Sequence, residues 1–223
     1  HIGETFKNFN VVPASIFIGD RGYYNCPGIE HVTSRCGHVL VRMNLSNTPL
    51  FNSDGKRVDV LQKLRTLKGS IIGDWPVYIH GRQSIIKARV CGIKKSKIAA
   101  DMAVKKTLKN NSKKQKKIKP ETLEAAGYIF VLTTLPTTVM TPDIVLEMYR
   151  GRWQIELAFK RLKSIMGLSY LPKQDPVGAK AWIQGKIFSA FLIEALISAG
   201  ERFFPWGYPI IEKEIEQNKV LMA

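Results

Sequence analysis

Four polar residues of different chemistry recur at helical spacing in the C-terminal half of the chain. They are Tyr149, Arg152, Glu156 and Lys163. At about 100° per residue of an α-helix, their side chains fall within a sector of roughly 60°. A carboxylate flanked by an arginine and a lysine is suited to a metal or phosphate site, because the cations attract polyanions. The alternative is an exposed helix whose Glu and Lys side chains form ion pairs.

A second candidate carboxylate follows an apolar run near the start of the chain. The residues at 16–18 are Ile, Phe and Ile, and they lead through Gly19 to Asp20. Such a run is typical of a buried parallel strand, and open α/β sheets place functional residues at the carboxyl ends of their strands. The alternative is that Asp20 is a turn residue before Gly22.

Cap and turn signals predict the elements that position these residues. Thr141 and Pro142 mark the start of a long helix that would carry Glu156. Both carboxylates are therefore expected to be held by regular elements.

The spacing Y-x2-R-x3-E-x6-K, from Tyr149 to Lys163, resembles the signature of bacterial insertion-sequence transposases of the insertion-sequence-four type. These are members of the DDE superfamily, whose catalytic domain is ribonuclease-H-like. The run Asp-Arg-Gly-Tyr that begins at Asp20 is similar to the context of the family's second catalytic Asp. The resemblance implies that a helix and another strand follow this Asp, and here Pro27 to Cys36 and residues 38–42 can form them. The resemblance extends in order from about Gly3 to the region after Lys163.

The resemblance implies that Asp20 and Glu156 are catalytic residues and metal ligands. They would hold Mg²⁺, or Mn²⁺ as a substitute, for in-line phosphoryl transfer. It also implies a set of side chains that bind DNA phosphates near the scissile bond: Arg21, Tyr149, Arg152 and Lys163.

The family's function would be metal-dependent DNA cleavage and strand transfer at insertion-sequence ends. The implied partners are the DNA of the transposon ends and target, and a second copy of the chain in a homodimer. The implied location is the bacterial cytoplasm, in association with the nucleoid. Two alternatives stay open: a non-catalytic DNA-binding relic of a transposase, and a ribonuclease-H-like nuclease that cuts without joining.

The implied fold is α/β, with a ribonuclease-H-like core interrupted by a mostly β insertion. Residues 1–43 would form the part of the core with the second Asp, 44–126 the β-rich and lysine-rich insertion, and 127–223 the rest of the core with the catalytic-Glu helix and C-terminal helices. Strand-like runs at 77–80 and 85–90 fit the insertion.

Two further elements are expected after the insertion. Residues 128–133 form a strand-like apolar run, and Asp175 with Pro176 opens a second long helix.

The family's first catalytic Asp has no counterpart here, because no Asp precedes Asp20 in the sequence. The core is therefore expected to be incomplete at its N-terminus, and residues 1–223 alone are expected to bind DNA without cutting it. The missing strand would leave an open sheet edge.

A lysine-rich segment lies within the expected insertion. Residues 94–119 contain eleven Lys and a single Asp. Such density favours contact with the phosphate backbone, and four side chains at its centre are the candidates: Lys113, Lys114, Lys116 and Lys117. The alternative is a solvated charged helix or loop. Trp75 could stack on an unpaired base or belong to the core, and it stays unassigned.

Composition agrees with a protein that binds nucleic acid. The formal net charge of +16 is typical of a polyanion binder. We find no uncharged apolar run of about 18 residues, so no membrane partner is expected. The three Cys are scattered, which argues against a zinc knuckle or a disulfide framework.

Overall fold

The computed structural model describes residues 3–45, 47–113, 118–164, 167, 170–171 and 175–203. The chain divides into two compact units, one up to Arg152 and one from Trp153 onward.

The first unit is built on a five-stranded mixed sheet. The strands are β1 (Ile16–Gly19), β2 (His38–Arg42), β3 (Ile72–His80), β4 (Ile85–Lys94) and β5 (Tyr128–Thr133), and their spatial order is β1-β2-β5-β4-β3. Strands β1 and β2 are parallel, and the other neighbours are antiparallel. The strands expected from apolar runs are therefore all present, and β2 and β5 have the predicted bounds.

Helix α1 (Cys26–Thr33) connects the two parallel strands. Asn25 caps the start of this helix, since its side chain accepts a hydrogen bond from the Gly28 N–H at 2.9 Å. The expected helix is therefore present, but it ends at Thr33 and not at Cys36. Strand β1 is parallel, as predicted, but it lies at an edge of the described sheet and Ile16 is 37% exposed. The expectation of a fully buried strand was therefore wrong.

Strands β3 and β4 form a long hairpin that joins the same sheet through β5. The carboxylate of Glu30, on α1, accepts the backbone N–H of Gln83 at 2.8 Å and so holds the hairpin turn. Trp75 packs, partly buried, against the main core cluster, next to Gly73. Strands β3 and β4 belong to the same sheet as β1 and β2. The division of the chain into an insertion at 44–126 and two core parts stays a prediction.

Helices cover the remaining parts of the first unit. These are α2 (Val60–Arg65), α3 (Lys97–Lys113), α4 (Pro120–Ala125) and α5 (Pro142–Gly151). Most buried side chains belong to one large cluster, while α5 buries Val145 and Tyr149 against Leu40, Cys91 and Val131 in a second cluster.

The predicted long helix through Glu156 is interrupted. Helix α5 ends at Gly151, and a new helix, α6 (Trp153–Ser164), begins in the second unit. The Arg152 N–H bonds to the Tyr149 carbonyl at 3.1 Å, which is the tighter closure of a 3-10 turn, next to a glycine that favours the helix poorly. The sequence predicted one continuous helix for the four motif residues. This prediction was wrong, because they are divided between α5 and α6 and the turn at Arg152.

The second unit contains α6 and the long helix α7 (Pro176–Phe203). The Asp175 carboxylate accepts the Gly178 N–H at 2.6 Å, which confirms the predicted start of α7. None of the helices in the described ranges is long and apolar enough to cross a membrane.

Candidate active site

Three strands of the sheet end at the same edge. Strand β2 runs parallel to β1, and two antiparallel steps through β5 give β4 the same direction. Their carboxyl ends deliver Asp20, Arg42 and Lys95 to this edge. Open sheets with parallel strands place their ligand sites at such an edge.

Asp20 lies directly after β1 in a tight turn. Its Oδ1 accepts the Gly22 N–H at 2.9 Å and so caps the 3-10 helix Arg21–Tyr23. A Cβ on Gly19 would lie 2.8 Å from both the Phe6 ring and the Tyr23 Cβ, which explains why a glycine precedes the carboxylate. Asp20 is therefore a turn residue before Gly22, which was the alternative interpretation of the sequence. It also presents a carboxylate at the sheet edge.

Three cationic side chains lie at this edge: Arg21, Arg42 and Lys95. None of them forms an ion pair with another described residue. Burial lowers the pKa of the Arg21 guanidinium, and the nearby charge of Arg42 lowers it further. Burial also lowers the pKa of the Lys95 ammonium to about 8, with further contributions from Arg42, Arg21 and Lys106. Because these positive charges lie close together, the edge is suited to bind an anion. We call Arg21, Arg42 and Lys95 the edge cations.

Lys95 is also fixed in place by the backbone. Its ammonium donates a hydrogen bond to the Ala126 carbonyl at 2.8 Å. A half-buried lysine held in this way has lost rotamer freedom before any ligand arrives, which favours binding.

Tyr149 lies on α5, close to this edge of the sheet. It is buried, and its hydroxyl has no hydrogen-bond partner among the described residues. Tyr149 and Asp20 both contribute to the surroundings that set the pKa of Arg21, so both lie near its guanidinium. The Arg152 guanidinium lies over the Tyr149 ring, 5.6 Å from its centroid. The structure thus brings together four of the predicted residues: Asp20, Arg21, Tyr149 and Arg152.

Glu156 and Lys163 lie on α6, in the second unit. The side chain of Glu156 lies outside the described part of the chain, and Lys163 is exposed. The convergence of Glu156 with Asp20 stays a prediction.

The lysine-rich segment begins at the same edge. It includes α3, where Lys105, Lys106 and Lys109 are exposed, and Lys106 is close enough to affect the pKa of Lys95. Lys113 is the last residue of α3, but its side chain lies outside the described residues. The three other predicted lysines lie there as well: Lys114, Lys116 and Lys117.

A cavity of about 770 Å³ opens beside Arg21. Met43, Leu50 and Phe130 contribute apolar walls, and Arg57 adds a cation. Its mixed lining is typical of a ligand pocket.

Arg42 and Lys95 were missed by the sequence analysis. Arg42 is the last residue of the strand that follows Asp20, so the rule that strand ends share an edge could have found it. Lys95 could not be found in this way, because it follows a strand that reaches the edge only through the pairing with β5.

The comparisons with known proteins agree with these observations. The profile of the family described as "Transposase DDE domain" matches residues 6–192. The chain belongs to this family. The recognised resemblance is thereby confirmed, and the mixed α/β sheet is consistent with the ribonuclease-H-like fold of a DDE transposase domain.

Several curated transposases are similar to this DDE domain. The putative transposase InsL for insertion sequence element IS186A of Escherichia coli is 33% identical over 208 residues, which cover 91% of this chain and 56% of the relative. The transposase for IS421 of Escherichia coli has the same identity and coverage. The transposase for IS231F of Bacillus thuringiensis is 22% identical over 196 residues, 81% of this chain and 41% of the relative. The chain thus spans about half the length of these relatives.

Transposase DDE domains generally use divalent metal ions. The Asp20 carboxylate offers the hard oxygen atoms that Mg²⁺ and Mn²⁺ prefer, and its position at the sheet edge fits such a ligand. Within the described residues, however, no three His, Cys, Asp or Glu side chains are close enough to hold a metal together.

Proposed function

We propose that this chain is the larger part of an insertion-sequence transposase catalytic domain, which in the whole protein cleaves and joins DNA at transposon ends. The observation that carries the proposal is the grouping of Asp20 with Arg21 and Tyr149 at the sheet edge, within a chain that belongs to the DDE family. A carboxylate beside the edge cations combines a metal ligand with phosphate contacts.

Asp20 and Glu156 would be two of the ligands of Mg²⁺, with Mn²⁺ as a substitute. When bound, the metal ions would supply Lewis-acid stabilisation of the phosphoryl transfer. Asp20 is preorganised for this role, since its Oδ1 is already held by the Gly22 N–H.

The cationic and phenolic groups would bind and orient the phosphates flanking the scissile bond. Arg21 and Arg152 present forked donors, and Lys163 adds a point charge. The Tyr149 hydroxyl, which has no partner among the described residues, would donate its hydrogen bond to a phosphate oxygen. The edge cations would extend this surface toward α3 and its exposed lysines.

The lysine-rich segment would hold DNA nonspecifically. Lys113, Lys114, Lys116 and Lys117 would contact backbone phosphates and so raise affinity without reading bases. In the proposed domain arrangement this segment belongs to a β-rich insertion at 44–126, between the core parts at 1–43 and 127–223. The whole enzyme would act on the DNA of transposon ends and target as a homodimer.

The test uses the full-length protein and a DNA duplex that carries the end of its element. Asp20→Asn and Glu156→Gln should each abolish metal-dependent cleavage while DNA affinity changes by less than about threefold, because each removes a carboxylate charge and no cation. Asparagine can still accept the Gly22 N–H, so the turn is retained. Asp54→Asn and Glu147→Gln are matched controls, since both residues are exposed in the first unit.

The outcomes separate the alternatives. Cleavage without joining would favour a nuclease, and binding without cleavage by the wild-type protein would favour a DNA-binding relic. Full activity in Asp20→Asn or Glu156→Gln would overturn the assigned roles.

A further inference from the structure

One buried ion pair crosses the β3–β4 hairpin. The Arg89 guanidinium donates to the Asp74 carboxylate at 2.8 Å, and the two side chains are 6% and 22% exposed. The only other ion pair among the described residues, Arg65 with Glu124, is exposed. Burying two charges requires that their remaining donors and acceptors find partners.

The partners of this pair lie on the segment between β5 and α5. Arg89 Nε donates to the Leu135 carbonyl at 2.7 Å, and Arg89 Nη2 donates to the Met140 carbonyl. The Thr137 hydroxyl donates to the Asp74 carboxylate at 3.2 Å. One guanidinium therefore holds both ends of the segment, and its carboxylate partner holds the middle.

Helix α5 begins two residues after Met140. Its N-cap, Thr141, makes no side-chain cap hydrogen bond to the backbone, so the Arg89 contact to the Met140 carbonyl ties this end of the helix to the sheet. Val145 and Tyr149 are one helical turn apart and pack against the sheet. Tyr149 is nine residues after Met140, roughly 13 Å along a helix.

Apolar packing alone does not fix such a helix sharply. Contacts to Leu40 and Val131 tolerate small sliding movements, whereas forked hydrogen bonds to two carbonyls depend on direction as well as distance. An apolar pair of similar volume would serve stability as well as a buried ion pair does. The arrangement is therefore better explained by positioning than by stability.

We propose that Arg89 and Asp74 are positioning residues that fix α5 on the sheet and so place Tyr149 and Arg152 beside Asp20 and Arg21. They touch neither DNA nor metal and act through the 134–141 segment. The consequence for catalysis rests on the proposed function, whereas the placement of α5 does not.

The test compares Arg89→Lys with a matched core variant, Ile79→Val, in the full-length protein. Lysine keeps the charge but cannot bond Asp74, Leu135 and Met140 in the same fork geometry. Ile79 is buried in the main core cluster and not in the cluster that contains α5, so its truncation controls for a general loss of stability.

Hydrogen–deuterium exchange gives a result that does not depend on activity. Amides at 143–151 should exchange at least about fivefold faster in Arg89→Lys than in Ile79→Val, under conditions where both variants are folded. Equal exchange in the two variants would overturn the positioning role.

DNA cleavage then tests the link to the site. The cleavage rate at saturating DNA should fall by about tenfold to a hundredfold in Arg89→Lys, with DNA affinity within about threefold of wild type. Tyr149→Phe should reduce the cleavage rate by a smaller factor in the Arg89→Lys background than in wild type, because the hydroxyl is already misplaced there.

Faster exchange with unchanged cleavage would overturn the link to catalysis. If the wild-type protein does not cleave DNA, the proposed function is refuted. The hydrogen exchange of α5 would then be the test of whether Arg89 positions this helix.

Discussion

The Arg152 guanidinium lies over the ring of Tyr149, 5.6 Å from its centroid, at the point where α5 ends. The ring is buried and its hydroxyl has no hydrogen-bond partner among the described residues. We propose this hydroxyl as a hydrogen-bond donor to a phosphate oxygen of bound DNA.

Tyr149→Phe tests this relationship. Removing the hydroxyl should leave the free energy of unfolding unchanged or raise it by up to about 1 kcal/mol, because no hydrogen bond within the protein is removed. The same substitution should slow DNA cleavage by the full-length protein by at least about tenfold. Thermal unfolding and cleavage kinetics measure the two effects, and a clear fall in stability would show that the hydroxyl has a structural partner.

Lys95→Met tests the edge cations through pH. The pKa of Lys95 is lowered to about 8, so the free protein carries this charge below that pH and loses it above. A bound phosphate favours the charged form and shifts the titration of the complex upward. Wild type should therefore bind DNA about tenfold more tightly than Lys95→Met near pH 6.5, and the ratio should shrink as pH rises toward 9.

Lys95→Arg is the control for that experiment, because arginine keeps its charge over the whole pH range. Its affinity relative to Lys95→Met should be independent of pH. A pH-independent ratio between wild type and Lys95→Met would show that Lys95 does not face the DNA.

The lysine-rich segment should act through salt-dependent binding to phosphates. Replacing Lys113, Lys114, Lys116 and Lys117 with glutamine should weaken binding to unrelated DNA sequences about equally. It should also flatten the slope of log K against log salt by roughly 0.9 for each phosphate that the variant no longer neutralises. Replacing four lysines elsewhere in the first unit is the matched control: Lys7, Lys56, Lys63 and Lys68. Equal slopes for the two quadruple variants would show that the segment is only solvated.

The sequence predicted those elements that depend on local signals. The apolar runs at β2 and β5 had the right bounds, and the start of α7 followed from Asp175 beside Pro176. The break at Arg152 was not predicted, because one 3-10 turn hardly changes the helical spacing of polar residues.

Residues that meet through distant pairings were missed as well. Arg42 and Lys95 become neighbours only because β5 inserts between β2 and β4, an order that the chain does not follow. The Arg89–Asp74 pair likewise depends on the register of the β3–β4 hairpin. Sequence motifs drew attention to Asp20 and Tyr149. The cations around them could be found only from the pairing of the strands.

The central claim is that Asp20 and Glu156 hold the same metal ions. Iron-mediated backbone cleavage tests it most directly: Fe²⁺ replaces Mg²⁺ in the full-length protein bound to DNA, and peroxide and ascorbate generate hydroxyl radicals at the metal. The account predicts backbone cuts near residue 20 and near residue 156 in the same sample, with both losing intensity together in Asp20→Asn and in Glu156→Gln but not in Glu147→Gln. Cuts at only one of these positions, or cuts near residue 156 that persist unchanged in Asp20→Asn, would contradict it.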